Sequence, residues 1–363
     1  MSIRKMFIIG ICFILISTLV AGCGAPQNTV TPDEPEQESI RSITDMAGRE
    51  VDVPAVIEKA FSMDPVGSIA LYTLCPEKMI GWNYDFREGE KQFLLPEYLK
   101  LPNLGGWFGK GTGNIEEIIK LNPDVLIYMG SMSETMISLA EKVQEQINIP
   151  VIVVDGQLEK LHESYIFLGD LLGQKEKADE LGTYCKITIE NVVDEVKKIP
   201  EDDRIRIFYS EGATGLETDA KGSPHTQVID LVGGINVADS PVTSGRTTVS
   251  MEQLMIWDPD MIIAWDAERG GYYNEIPKDI NWKDLKAVQR GEVYQIPYGP
   301  FNWFDRPPSV SRLLGVKWLA NLLYPDVFDY DLNQEVKDFY SKFYHFDLTD
   351  ADVAELLKNA QRK

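Results

Sequence analysis

The apolar positions over residues 175–199 fall at Ala178, Leu181, Cys185, Ile189, Val192, Val196 and Ile199. Steps of three and four keep them on one face of an α-helix. Gly173 stands just before this run and Pro200 ends it, because proline fixes φ and has no N–H to give. At ~1.5 Å per residue such a helix spans roughly 37 Å, about the width of a small domain. The patterns on its two sides match. Asn114-Ile115-Glu116-Glu117-Ile118-Ile119-Lys120-Leu121-Asn122-Pro123-Asp124 leads into the apolar run 125–128. Ser250-Met251-Glu252-Gln253-Leu254-Met255-Ile256-Trp257-Asp258-Pro259-Asp260 leads into the apolar run 261–264. Each reads as a short helix, a Pro-Asp turn and a buried strand.

Around these landmarks, short apolar runs alternate with helical periods. Strands are expected at 59–63, 79–82, 151–154, 204–209 and 293–296, and a small hairpin at 42–54 around an Ala-Gly turn. Helices are expected at 93–99, 134–146, 161–172, 226–231, 309–323, 334–343 and 350–361. Strands alternating with helices imply parallel sheets covered on both faces. The expected fold is therefore α/β: two Rossmann-like lobes with mostly parallel sheets, joined by one long backbone α-helix. The first lobe takes residues 41–173, the helix 174–200 and the second lobe 201–363.

The amino terminus is a targeting segment. Arg4 and Lys5 precede an apolar run at 7–21, short of the ~20 residues that span a bilayer. It ends in Leu19-Val20-Ala21-Gly22-Cys23, which resembles a lipoprotein lipobox. The resemblance implies a signal peptide at 1–22, cleavage before Cys23 and a diacylglycerol on its sulfur. An ordinary signal peptide or an uncleaved anchor helix is the plainer reading of the same residues. Residues 23–40 are rich in Pro, Gln, Glu, Asn and Thr, a composition that forms no core and reads as a flexible tether. The expected location is the outer face of the cytoplasmic membrane, held there by lipid.

The chain has 363 residues, enough for about two domains, and its net charge of −22 argues against nucleic acid as a partner. Past the leader only Cys75 and Cys185 remain, too isolated for a zinc or cluster motif. They read as buried thiols or, outside the cytosol, as a disulfide. No nucleophile elbow, Walker loop, dinucleotide fingerprint or His-Glu-x-x-His motif occurs, so no enzyme is expected.

The pieces together resemble the helical-backbone substrate-binding proteins of ABC importers, the class that captures ferric siderophores, haem and cobalamin. The residues that carry the resemblance are 43–54 (ITDMAGREVDVP), the two repeat units, Gly169-Asp170-Leu171-Leu172-Gly173 with Lys177-Ala178, and 228–236 (VIDLVGGIN). It implies a ligand cleft between the lobes, little hinge motion, and an ABC permease with its ATPase as partners. A monomer is expected. The family's docking glutamates match Glu116 and Glu252, with Glu117 the neighbouring alternative in the first lobe. Both matched glutamates also suit the first turn of a helix, where a carboxylate is favoured without any partner.

In open α/β sheets ligands bind beyond the carboxyl ends of the strands. The candidates in those loops are Trp82, Tyr84, Trp107 and Lys110 in the first lobe. Tyr209, Arg246, Trp265, Tyr272, Trp303 and Arg306 are those of the second. Aromatic faces with guanidinium forks suit a multiply charged chelate. Residues 243–249 (TSGRTTV) could gather hydroxyls and Arg246 on an anion, or simply cap a helix. Tyr272-Tyr273 invites direct Fe(III) binding, but such a site also wants carboxylate or imidazole ligands and the three histidines, His162, His225 and His345, are scattered; His225 reads as a cap or surface residue. No resident cofactor is expected. The expected cargo is a metal chelate, foremost a ferric siderophore or related iron complex. The loop at 300–309 with 314–319 also resembles a subgroup that binds molybdate and tungstate, which keeps an oxyanion open, and a corrinoid after it. A chelatase-like metal-cofactor enzyme is the alternative from another class.

Overall fold

The computed structural model describes residues 39–239 and 245–362. The expected signal peptide, Cys23 and most of the tether lie outside these, as do Thr243 and Ser244.

The chain opens with an antiparallel hairpin, β1 (Ile40–Thr44) and β2 (Glu50–Pro54). The first lobe then runs through β3 (Ala60–Ser62), α1 (Pro65–Leu74), α2 (Glu88–Lys91), α3 (Ile115–Leu121), β4 (Val125–Gly130), α4 (Glu134–Ile147), β5 (Val151–Asp155) and α5 (Leu161–Leu172). Its sheet is parallel, in the order β3-β4-β5. After α6 (Lys175–Val196), the second lobe holds β6 (Arg206–Ser210), β7 (Glu217–Thr218), α7 (Gln227–Leu231), β8 (Ile235–Asn236), β9 (Thr247–Thr248), α8 (Met251–Trp257), β10 (Met261–Ala264), α9 (Lys286–Gln289) and β11 (Val293–Gln295). Its parallel sheet is ordered β11-β10-β6-β8, with β7 and β9 a small antiparallel pair. The chain closes with α10 (Arg312–Leu323), α11 (Leu332–Phe339) and α12 (Asp350–Leu357).

The internal match is physical. Asn122 and Asp258 end α3 and α8 with φ of 50° and 40°, the left-handed turn that closes a helix. Asp124 Oδ2 then accepts from the N–H groups of Glu58 and Lys59, while Asp260 Oδ2 accepts from that of Arg206. The Pro-Asp turn thus pins the next strand to its neighbour in both lobes. A helix that feeds a parallel strand runs back against it, so the N-termini of α3 and α8 stand at the carboxyl edges of the two sheets.

On α6 the buried stripe Ala178, Leu181, Cys185, Val192 and Val196 joins one apolar core containing Leu168 and Leu172 of α5 and Val228 and Val232 of the second lobe. At Gly169 an added Cβ would collide with the Ala178 methyl, so glycine sets how closely α5 approaches α6. Cys75 and Cys185 are both buried free thiols.

The end of the chain does more than cover the second lobe. After α11 a π-helical turn, Tyr340–Tyr344, crosses to the first lobe. Tyr72 donates to the Tyr344 carbonyl at 3.2 Å, and His345 Nε2 lies 3.0 Å from the Tyr72 carbonyl. Arg312, 2% exposed, ties the lobes from beneath: Nη2 donates to the Gly156 carbonyl at 2.9 Å and Nη1 to Gln227 Oε1 at 2.5 Å. Burial without a carboxylate partner lowers its pKa to about 10.

Segment 93–99 is not the expected helix. The helical turns fall on either side, in α2 and at Tyr98–Lys100, because Pro96 interrupts between them. Residues 79–82 make only isolated bridges rather than a strand.

Candidate functional site

A cavity of about 880 Å³ opens at the carboxyl edges of both sheets. The first lobe contributes Asp64 and Val66 at the start of α1, Tyr84 and Arg87, Trp107 and Phe108, and the end of β4. The second contributes His225, Arg269, Tyr298, Asn302 and Arg306.

Arg306 carries a heavy electrostatic load. Its Nε lies 3.1 Å from Glu211 Oε1 and 3.2 Å from Asp305 Oδ2, and Nη2 donates to Asp219. All three carboxylates are fully buried. They are also the group that could ligate a metal among the described residues, but the guanidinium already sits among them. The nearby carboxylates raise the Arg306 pKa against its own desolvation. Glu211 is pushed up to about 8 by burial, against the pull of Arg306. Arg306 also has φ +52°, in the left-handed region costly for a side chain, and this network holds it there.

Arg269 has the opposite environment. Among the described residues no carboxylate lies within ion-pair distance of it. Its guanidinium stacks 4.4 Å from the Trp265 ring centroid, and Nη2 donates to the Arg306 carbonyl at 3.0 Å. Nη1 is buried without a partner, as are Tyr298 Oη and Asn302 Nδ2 in the same wall. Three donors left unmet around one cavity are what an anionic ligand satisfies.

His225 Nδ1 lies 2.5 Å from Asp305 Oδ1. With that proton held toward the carboxylate, Nε2 of the neutral ring is an acceptor or a metal ligand. The lining thus holds one imidazole, His225, beside the carboxylates of Asp64, Asp85 and Glu90 and the phenols of Tyr84, Tyr128 and Tyr298. Asp64, in the first lobe, accepts from the N–H groups of Val66, Gly67 and Met129. Burial outweighs those bonds and raises its carboxyl to about 7.

Of the ten ligand candidates from sequence, Tyr84, Trp107 and Arg306 line the cavity. The others require correction. Trp82 is core: its ring packs on Tyr72 and Phe86, and Nε1 donates to the Tyr98 carbonyl. Trp303 is fully buried under α10, where an added Cβ on Gly315 would strike its carbonyl. Tyr209 and Trp265 lie beneath the wall, bonded to each other at 2.7 Å, and Trp265 acts as the platform for Arg269. Lys110 is exposed beyond the rim. Arg246 pairs with Glu217 at 3.0 Å and lies 5.4 Å over Trp265, outside the lining. Tyr272 donates to Asp279 and packs on Trp282, outside the cavity lining. His225, read from sequence as a cap or surface residue, is in the cavity wall.

The sequence pattern gave no sign of Arg87 or Tyr298; Arg269 and Asn302 lie in loops expected to face the cleft but are not among the ten candidates. The available signal for Arg269 was its position: it lies five residues past β10, in the loop that begins with Trp265.

These features define a two-lobed solute-binding protein. The chain belongs to the periplasmic binding protein family, whose model matches residues 106–298. It is 26% identical to the molybdate-binding protein MolA of Haemophilus influenzae, over 84% of this chain and 91% of MolA. It is 21% identical to the Fe(3+)-citrate-binding protein YfmC of Bacillus subtilis, over 80% of this chain and 89% of YfmC. An ABC transporter solute binding protein from Sulfurospirillum deleyianum superposes with a TM-score of 0.81 at 31% identity, covering 88% of this chain and 99% of that one. It is thus an extracytoplasmic binding protein of the ABC type. Among the described residues no helix is long and apolar enough to cross a membrane.

Proposed function

We propose that this chain captures an anionic metal chelate, foremost a ferric complex, and delivers it to an ABC permease and its ATPase. It acts as a monomeric receptor rather than an enzyme, tethered at the outer face of the membrane through lipid on Cys23. The carrying observation is Arg269: a guanidinium without an acidic partner among the described residues, seated on Trp265 in the cavity wall. Arg87 adds a second cation to a lining that also holds Asp64, Asp85 and Glu90. The volume of about 880 Å³ falls in the ~300–1,000 Å³ range of sites that enclose drug-sized ligands, far beyond the need of four oxygens around one metal. YfmC, a ferric-citrate binder by name, supports this cargo.

A second reading is molybdate or tungstate. The buried donors of Arg269, Tyr298 and Asn302 favour it, as does the likeness to MolA. Trp107 in the wall and Trp265 beneath it report on both. Titration of tryptophan fluorescence with ferric citrate, ferric hydroxamate, molybdate and tungstate separates the readings. Quenching by a ferric chelate supports the first. Response to oxyanions alone transfers the assignment to the second, and response to none refutes both.

Docking on the permease is assigned to Glu116 and Glu252, which are exposed in the first turns of α3 and α8. Neither is the N-cap residue of its helix. Asn114 accepts from the Glu117 N–H, and Ser250 from the Gln253 N–H, so each helix start has its own cap residue, although Glu252 also accepts from the Ser250 hydroxyl and its own N–H.

A further inference from the structure

Residue for residue, α3 and α8 have the same buried and exposed positions. Ile118 and Leu254 are each 0% exposed and anchor the helices to their cores. One position later, Ile119 is 47% exposed and Met255 is 40% exposed. These follow Glu116 and Glu252 by three residues, so on a helix surface each is the neighbour of its glutamate. Among the described residues neither glutamate has a basic side chain within ion-pair distance. A single exposed apolar side chain is ordinary. Here the same pairing, a carboxylate without a basic partner beside an exposed apolar group, recurs at the carboxyl edge of both sheets.

We propose that Ile119 and Met255 form part of the permease-docking surface, each seated in an apolar depression beside the cation that meets its glutamate. This rests on the docking assignment of Glu116 and Glu252. The occupant is the extracytoplasmic face of an ABC permease that presents two equivalent basic and apolar sites. Charge selects it: carboxylates without a basic neighbour on both helices call for cations on the partner. The two contacts are unequal. Lys120 in the first lobe is held by Glu117 at 3.3 Å, whereas its counterpart Ile256 is 76% exposed. The second lobe therefore offers the larger apolar footprint.

The test is binding of the ligand-free protein to its purified permease–ATPase complex in lipid nanodiscs, at low and high salt. Ile119→Ser and Met255→Ser are each expected to weaken binding about three- to tenfold at both salt concentrations. Ile256→Lys is expected to weaken it further than either. Glu116→Lys and Glu252→Lys should weaken it mainly at low salt, because exposed charges are screened. Urea midpoints should match the unmodified protein throughout. Serine variants and Ile256→Lys that bind normally while Glu116→Lys and Glu252→Lys fail would overturn the apolar contacts and leave the glutamates standing. Normal binding by all variants would overturn both assignments. Weakened binding accompanied by a lowered urea midpoint would overturn the apolar contacts by making the effect structural.

Discussion

Arg269 donates from Nη2 to the carbonyl oxygen of Arg306 at 3.0 Å, and the two side chains have opposite electrostatic roles. Arg306 is consumed by Glu211, Asp219 and Asp305, which fix its backbone. That backbone in turn holds Arg269, whose own charge stays available to the cavity. One arginine positions the loop and the other is left to meet the ligand.

The contrast gives a stability prediction. Arg306→Ala strands three buried carboxylates and is expected to cost about 3–5 kcal/mol. Arg269→Ala loses a stacked cation and one carbonyl bond, about 1 kcal/mol. Urea unfolding of the two variants measures both, and similar losses would contradict the division of roles.

Asp64 and Glu211 make stability depend on pH in a defined direction. Their carboxyls are raised to about 7 and about 8, above the ~4 of an unfolded chain. Between those values the folded protein keeps protons that the unfolded chain has released. The stabilisation is present in full below pH ~4 and is lost as pH rises through about 7 and about 8. The urea midpoint should therefore fall from pH 5 to pH 8. Asp64→Asn, which keeps a helix-capping side chain, should flatten that fall. An anionic ligand should also bind more tightly below pH 7, where Asp64 adds no negative charge to the wall.

Trp303 and Trp107 test core against cavity. Trp303→Ala empties a fully buried site and should cost about 3–5 kcal/mol. Trp107→Ala should weaken ligand binding, because its ring forms part of the wall. Fluorescence and urea titrations of both variants check this, and a ligand-specific defect in the Trp303 variant would reverse the assignment.

Charge reversal at Glu116 and Glu252 should impair ligand uptake by vesicles that contain the permease while leaving ligand affinity unchanged. Calorimetry on the isolated variants is the check. A fall in affinity would place those carboxylates in the binding or folding machinery.

The architecture was legible because it is written in local periods. The stripe on α6 and the two Pro-Asp turns each lie within a few consecutive residues, and each depends on burial that every stable arrangement requires. The ligand wall was less legible. Trp82 and Tyr84 stand two residues apart in one loop, and only packing against distant segments decides which ring meets solvent; Trp303, in the 300–309 loop, is buried the same way. The arginines show this most clearly. Nothing near Arg306 in sequence says that Asp219, 87 residues away, consumes its charge. The availability of Arg269 likewise follows from which carboxylates lie elsewhere. His225 changed meaning for the same reason, since its partner Asp305 is 80 residues away.

The most direct test of the central claim is calorimetric titration of ferric citrate and of molybdate into the protein and its Arg269→Ala variant. The account predicts saturable one-to-one binding of the ferric chelate, weakened about 10- to 100-fold by the substitution, the worth of a hydrogen bond to a charged group. Equal affinity in the variant, or binding of neither metal species, would contradict it.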